Sequence, residues 1–214
     1  MPARAPGRRV VLPGGTRRAH DPEVPVPAYV TVLDPAPLPA DQAWIQRALS
    51  AGHAAAATAV VVTRPLGTGP AIAVLVHDEL PAAAVEGAET CGRAVLFPGT
   101  AQGPARFATV VEFHGPRTPE WVAAESRASH DRIHPATQDV PGYVGTLRLI
   151  RDDGGVLTLS LAETAEALQE AMERIMATEL LPGEDPALLT GPDRMSFSVV
   201  VRADLPAGAG SVNR

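Results

Sequence analysis

The residues able to do chemistry gather in the second half of the chain: His114, Trp121, His130, His134, Tyr143 and Arg148. His114 follows the apolar run Phe107 to Phe113 and precedes Gly115-Pro116, a place at a strand end from which an imidazole can reach into a cleft and act as a base near neutral pH. A loop histidine bonded to backbone or water is the plainer reading of the same residue. His130 and His134 are four apart, which on a helix sets both rings on one face, the spacing of a divalent-metal pair. No third ligand accompanies them, because Asp131 lies about 100° round the helix from His130, so no metal is expected. Two imidazoles near a helix C-terminus account for the pair more simply.

Polar residues also recur with the period of a strand. Thr146 and Arg148 share one face of the run Tyr143 to Ile150, Thr158 pairs with Ser160 in the next run, and Ser196 with Ser198 in the last. Such a patch either faces water or lines a ligand pocket, with Arg148 and Tyr143 as its reactive members and Thr158, Ser160 and Ser198 as ligand contacts. Trp121, His130 and His134 are further candidate ligand contacts. The plainer roles are a core anchor for Trp121, as for Trp44, and a locally bonded hydroxyl for Tyr143.

These side chains need a scaffold, and the pattern supplies one. Phe107 to Phe113 reads as a strand. Thr118-Pro119 then gives an N-cap and the proline favoured at the first helical position, predicting a helix from Pro119 to about His134. Tyr143 to Ile150 and Val156 to Leu161 flank Asp152-Asp153-Gly154-Gly155, whose residues tolerate the positive φ of a hairpin turn. After Glu163, Ala165, Leu168, Met172, Ile175 and Met176 recur at helical spacing, and Met195 to Arg202 is a closing strand.

The first half carries the same order in a weaker form. Tyr29 to Asp34 is a strand, Asp41 caps a helix bearing Trp44, Ile45, Ala48 and Leu49, and Thr58 to Thr63 with Ala71 to Val76 form a hairpin around Gly67 to Pro70. Ala82 to Thr90 is expected to be a short helix and Arg93 to Phe97 the closing strand. Laying WIQRALS at Trp44 beside WVAAESRAS at Trp121 brings the hairpins and final strands into line. An internal duplication explains this, and convergent strand-helix order remains the alternative. The expected fold is α+β: two tandem ferredoxin-like βαββαβ halves forming a pseudo-dimeric α/β barrel. Both strand faces are apolar, so each sheet is expected to be covered by helices on one side and by the other sheet on the other. The boundaries are a disordered basic N-terminal tail at 1–26, a degenerate scaffold half at 27–104, a second half at 105–203, and a disordered C-terminal tail at 204–214.

Composition narrows the function. The 214 residues carry a net charge of -6, 45% hydrophobic residues and one cysteine, Cys91, which excludes an internal disulfide and fits a reducing cytoplasm. All the basic residues except histidine are arginine, and Arg4, Arg8, Arg9, Arg17 and Arg18 lie in a Pro/Gly-rich stretch without the apolar core of a secretory signal. An acidic chain is a poor general nucleic-acid binder, and no apolar run approaches the roughly 18 residues of a membrane span. Phosphate-binding loops, nucleophile elbows and paired-cysteine sites are absent from the sequence. Neither nucleic acid nor membrane is an expected partner. A homodimer stays open.

The segment PGYVGTLRLIRDDGGVLTLSLAETAEALQEAMERI, Pro141 to Ile175, resembles the antibiotic biosynthesis monooxygenase family of dimeric α/β barrel proteins: a Gly-aromatic strand, an acidic hairpin turn, and a strand running into an amphipathic helix. The resemblance spans roughly residues 105 to 203, and 27 to 104 more weakly. Many members place a tryptophan where the second hairpin strand enters the helix; here Ser160 to Leu168 reads SLAETAEAL. The haem-degrading relatives have a histidine on the second helix, and Glu163 to Leu180 has none, so haem is not expected. The resemblance implies oxidation of an aromatic polyketide or quinol-type molecule by O₂ without cofactor. Such a site supplies a base, donors for a developing oxyanion, and exclusion of water, with His114, Arg148 and Tyr143 as the catalytic candidates. A non-catalytic small-molecule-binding or interaction protein of the same superfamily is the alternative.

Overall fold

The computed structural model describes residues 29–33, 42–54, 57–67, 71–77, 88–91 and 93–204. The expected N-terminal tail, all of the expected C-terminal tail but Asp204, which ends a strand, and most of the expected helix at 82–90 lie outside that range. The described chain runs β1 (Tyr29–Leu33), α1 (Gln42–Ala54), β2 (Ala59–Pro65), β3 (Ile72–His77), β4 (Ala88–Cys91), β5 (Arg93–Pro98), β6 (Phe107–Phe113), α2 (Pro119–Ala128), a π-turn (Ser129–Ile133), α3 (His134–Thr137), β7 (Tyr143–Ile150), β8 (Val156–Ala162), α4 (Ala165–Met176) and β9 (Arg194–Asp204). None of the described helices is long and apolar enough to cross a membrane.

The strands form one nine-stranded sheet in the order β4-β1-β3-β2-β9-β6-β8-β7-β5, every pair antiparallel. Numbering the four strands of each half from its own start gives the order 4-1-3-2 twice, as β4-β1-β3-β2 and as β9-β6-β8-β7. Two separate sheets packed face to face were expected; the halves instead share hydrogen bonds edge to edge. The physical reason is the length of β9. Its first part, Arg194 to Val199, pairs with β6, and its last, Ser198 to Asp204, pairs with β2, so the otherwise open edge of β2 is satisfied.

Two local expectations change for related reasons. Ala88 to Cys91 is a strand beside β1, not the end of a helix. The strand from Arg93 does not close the first half but pairs with β7 of the second. A tertiary partner overrides the weak helical propensity of the alanine-rich stretch. The second half follows its pattern closely: Thr118 caps α2, its side chain accepting from the Trp121 N–H, and Thr164 caps α4 by accepting from the Ala167 N–H.

The sheet curls so that one face closes on a core drawn from both halves, including Val32, Val61, Val74, Val110, Leu147, Leu149, Leu157, Leu159 and Leu161. On the outer face, Leu33, Val62, Ala73 and Leu75 pack against Ile45 and Ala48 of α1. Tyr143 and Ala162 pack there against Ala167, Leu168 and Ala171 of α4. Apolar residues on both strand faces are thus explained by a core inside and helices outside.

Candidate functional site

Strand alternation sorts the polar residues by face, because directly opposed residues in an antiparallel pair project to the same side. On the outer face of the second half, Phe97, Thr146, Ser160, Thr109 and Phe197 are successive cross-strand partners, one from each of five neighbouring strands. The adjacent outer row is Val95, Arg148, Thr158, Val111 and Met195. Hydroxyl groups and one guanidinium therefore occupy the middle of the face, with aromatic and apolar side chains at its ends. Phe97 is buried, whereas Phe197 and Met195 are exposed.

Helix α2 crosses this face with Trp121, Ala124, Glu125 and Ala128 buried. Arg148, 2% exposed, donates through Nε to Glu125 Oε1 at 3.1 Å and through Nη2 to Glu125 Oε2, a fork that holds helix to sheet. Nη2 also donates to Ser126 Oγ at 3.0 Å, and Ser129 donates to Glu125 Oε1 at 2.9 Å. The Tyr143 and Thr146 hydroxyls are hydrogen-bonded, and Thr146 Oγ1 stands 3.4 Å from Ser160 Oγ. The result is a line of hydroxyls from β7 to β8 beside a buried ion pair.

The helix is built around a defect that serves this arrangement. Pro135 has no N–H to donate to the carbonyl four residues before it, and in the adjoining π-turn the His134 N–H bonds to the carbonyl of Ser129, five residues back. The chain thereby continues as one helical rod to Thr137, three residues past the expected end. His130 and His134 both project toward Phe97, with ring centroids 6.3 Å and 5.2 Å from it. His130 Nδ1 is also 2.7 Å from Asp131 Oδ1. Among the described residues no cluster of His, Cys, Asp and Glu could hold a metal ion.

Trp121 packs its ring 5.4 Å from that of Phe113 on the outer face and lies under the Arg117 guanidinium, 4.8 Å from its centroid. Its indole N–H is buried with no hydrogen-bond acceptor among the described residues.

The structure thus brings Arg148, Tyr143, Thr158, Ser160, Trp121, His130 and His134 to one side of the sheet. His114 is elsewhere: its imidazole is largely exposed and 3.7 Å from Glu112, which faces inward with its neighbours Ala108 and Val110. The His114 backbone N–H donates to Asp193 Oδ2 at 2.7 Å, and its carbonyl accepts from Arg117 Nε at 2.7 Å. That N–H, with Arg117 beside it, holds the Asp193 carboxyl below its ordinary value. Ser198 is also apart, because it pairs with Ala108 and so lies on the inner face, buried with its hydroxyl unpartnered among the described residues.

Sequence reasoning missed Glu125 and Ser126 as members of this site. A signal existed for the first: Glu125 falls in the buried helical stripe of Trp121, Ala124 and Ala128, and an acid in such a stripe requires a cation.

Beside the ion pair, a cleft of about 620 Å³ opens between α2 and the β7–β8 hairpin. Val122, Ala123, Ile150 and Pro119 line its apolar part, Ser126 is at its inner side, and Arg117 and Arg151 to Gly154 form the remainder. None of His114, Tyr143 and Arg148 lines it directly, although Ser126 connects it to Arg148.

No protein-family model matches the chain, and no curated protein sequence does. Solved structures match its fold. The "putative monooxygenase from Lactobacillus acidophilus NCFM" superposes with a TM-score of 0.54 at 10% identity, covering 86% of this chain and 97% of that one. The "Putative monooxygenase" from Fusobacterium nucleatum subsp. nucleatum superposes with a TM-score of 0.55 at 8% identity, covering 87% and 97%. At these identities the likeness is one of fold: the chain has the α+β architecture of these monooxygenase-named proteins along nearly their whole length.

Proposed function

We propose that the chain is a cofactor-independent monooxygenase of the antibiotic biosynthesis monooxygenase kind, oxidising an aromatic polyketide or quinol-type substrate with O₂. In this reading the second half is catalytic and the first half a scaffold, the two descending from a duplicated βαββαβ unit. The repeated strand order supports the duplication. The observation that carries the functional reading is the outer-face row of Thr146, Ser160 and Thr109 flanked by Phe97 and Phe197 beside the Arg148–Glu125 pair. This is a polar strip with aromatic ends, suited to a flat molecule bearing oxygen substituents.

The chemistry asks little of such a strip. For an anthrone-type methylene, two C–H bonds break, a C=O forms, and the second oxygen atom leaves as water, so substrate and O₂ balance without an external reductant. A base removes the first proton, and donors stabilise the enolate oxygen. Glu125 takes the role of base here in place of His114, which follows the end of β6 with its imidazole largely exposed. Arg148 and the hydroxyls of Tyr143, Thr146 and Ser160 are the donors. Trp121, His130 and His134 form the wall.

The second reading, a non-catalytic small-molecule-binding protein, is favoured by one observation: Arg148 and Glu125 already neutralise each other. Oxygen uptake with a test anthrone separates the two. Consumption by the wild type, lost in Arg148→Ala and kept in His114→Ala, is the outcome expected for the enzyme. Uptake no faster than the buffer's own rate would leave the binding reading.

A further inference from the structure

We propose that the cleft between α2 and the β7–β8 hairpin is a binding chamber for a planar hydroxyarene of two or three fused rings, and that Ser126 selects a ligand bearing a free hydroxyl group. The inference rests on the reading above for the kind of molecule but not for its oxidation.

The argument begins with the hydrogen-bond capacity of one oxygen. Ser126 Oγ donates its proton to the Val122 carbonyl at 2.7 Å and accepts from Arg148 Nη2 at 3.0 Å. A hydroxyl has one proton and two lone pairs. The proton and one lone pair are committed, leaving one acceptor position on a residue that lines the cleft. A ligand group that meets it must donate. A phenolic O–H does; a quinone carbonyl or an aryl ether does not.

The walls agree with a flat aromatic body. Val122, Ala123, Ile150 and Pro119 give apolar surface, and Arg117, which also lines the cleft, is already stacked over Trp121. A ring in the cleft extends that stack by a cation–π contact. The volume, about 620 Å³, is that of a chamber for a small organic molecule. Ser126 is in turn held by Arg148, which Glu125 fixes bidentately, so the acceptor's position is set before a ligand arrives. Arg148 acts here as a positioning residue and Ser126 as the contact.

Equilibrium dialysis of the full chain with 2-naphthol and with 2-methoxynaphthalene tests this, the pair differing in the donor alone. The wild type is expected to bind 2-naphthol more tightly. Ser126→Ala is expected to lose about fivefold for 2-naphthol and nothing for the ether. Ala123→Trp, at an exposed helix position that tolerates a large side chain, fills the cleft and is expected to weaken both. Equal losses for the two ligands in Ser126→Ala, or unchanged binding in Ala123→Trp with an unshifted melting temperature, would overturn the assignment. Oxygen uptake keeps the two proposals apart. A wild type that oxidises anthrone, with naphthol binding unchanged in both Ser126→Ala and Ala123→Trp, sinks the chamber alone. A wild type that binds naphthol through Ser126 and consumes no oxygen sinks the oxidation alone.

Discussion

Arg148 of β7 and Glu125 of α2, 23 positions apart in sequence, form a two-point ion pair under the helix, with Arg148 Nε 3.1 Å from Glu125 Oε1. Both residues are buried. Removing one partner of such a pair leaves a charge uncompensated, which costs about 3 to 5 kcal/mol. Glu125→Gln is expected to lower the unfolding free energy by that order in urea denaturation, and Glu125→Gln with Arg148→Met to recover a good part of it. A single variant as stable as the wild type would show that water reaches Arg148.

Tyr143 is almost fully buried, and its hydroxyl is bonded to Thr146. Tyr143→Phe keeps the packing against α4 and removes that bond, so a loss of about 1 kcal/mol is expected. If Tyr143 also serves substrate, the rate of oxygen uptake falls further than stability does. Comparing the urea midpoint with the turnover rate separates the two roles.

Gly145 has φ +147°, and a Cβ there would stand 2.6 Å from the Phe97 carbonyl oxygen. It occupies the register shift of β7, where β5 comes alongside. Gly145→Ala is expected to cost about 2 kcal/mol or more. Hydrogen exchange should locate the damage as faster amide exchange on β5 and β7, with β1 to β3 protected.

Asp193 makes stability depend on acid. The His114 backbone N–H and then Arg117 hold its carboxyl below the ordinary value of 3.8, and a depressed carboxyl contributes stability that is present above its unfolded pKa and lost as pH falls through the folded one. The thermal midpoint of Asp193→Asn is therefore expected to lie below that of the wild type at pH 7. The two should converge as pH drops below 3.8. A gap that stays constant from neutral to acid would show that the carboxylate charge contributes nothing.

The parts legible in the sequence were those whose signals are local. Thr118-Pro119, the Asp152 to Gly155 turn and the α4 periodicity each specify their element within a few residues, and each is found where expected. Ala88 to Cys91 carries no such signal, and Arg93 to Phe97, legible as a strand, does not name its partner. The strand state of the first is set by β1 and the place of the second by β7, the latter about 50 residues away in sequence, and pairing at that distance leaves no periodic mark. The site divides in the same way. That Thr146 shares a face with Arg148, and Thr158 with Ser160, follows from alternation alone, and the β7–β8 register puts the two pairs together. Which face Ser198 takes depends on the register between β9 and β6, and the place of His114 on a loop geometry that its own residues do not encode.

The two halves are not separable bodies. β4 ends at Cys91 against β1, and β5 begins at Arg93 against β7, while β9 runs from β6 to β2. Each half lends the other its last strand. Heating should therefore melt the molecule in one calorimetric peak, and a protease cut in the linker between Pro98 and Phe107 should yield two fragments that still migrate together until denaturant parts them.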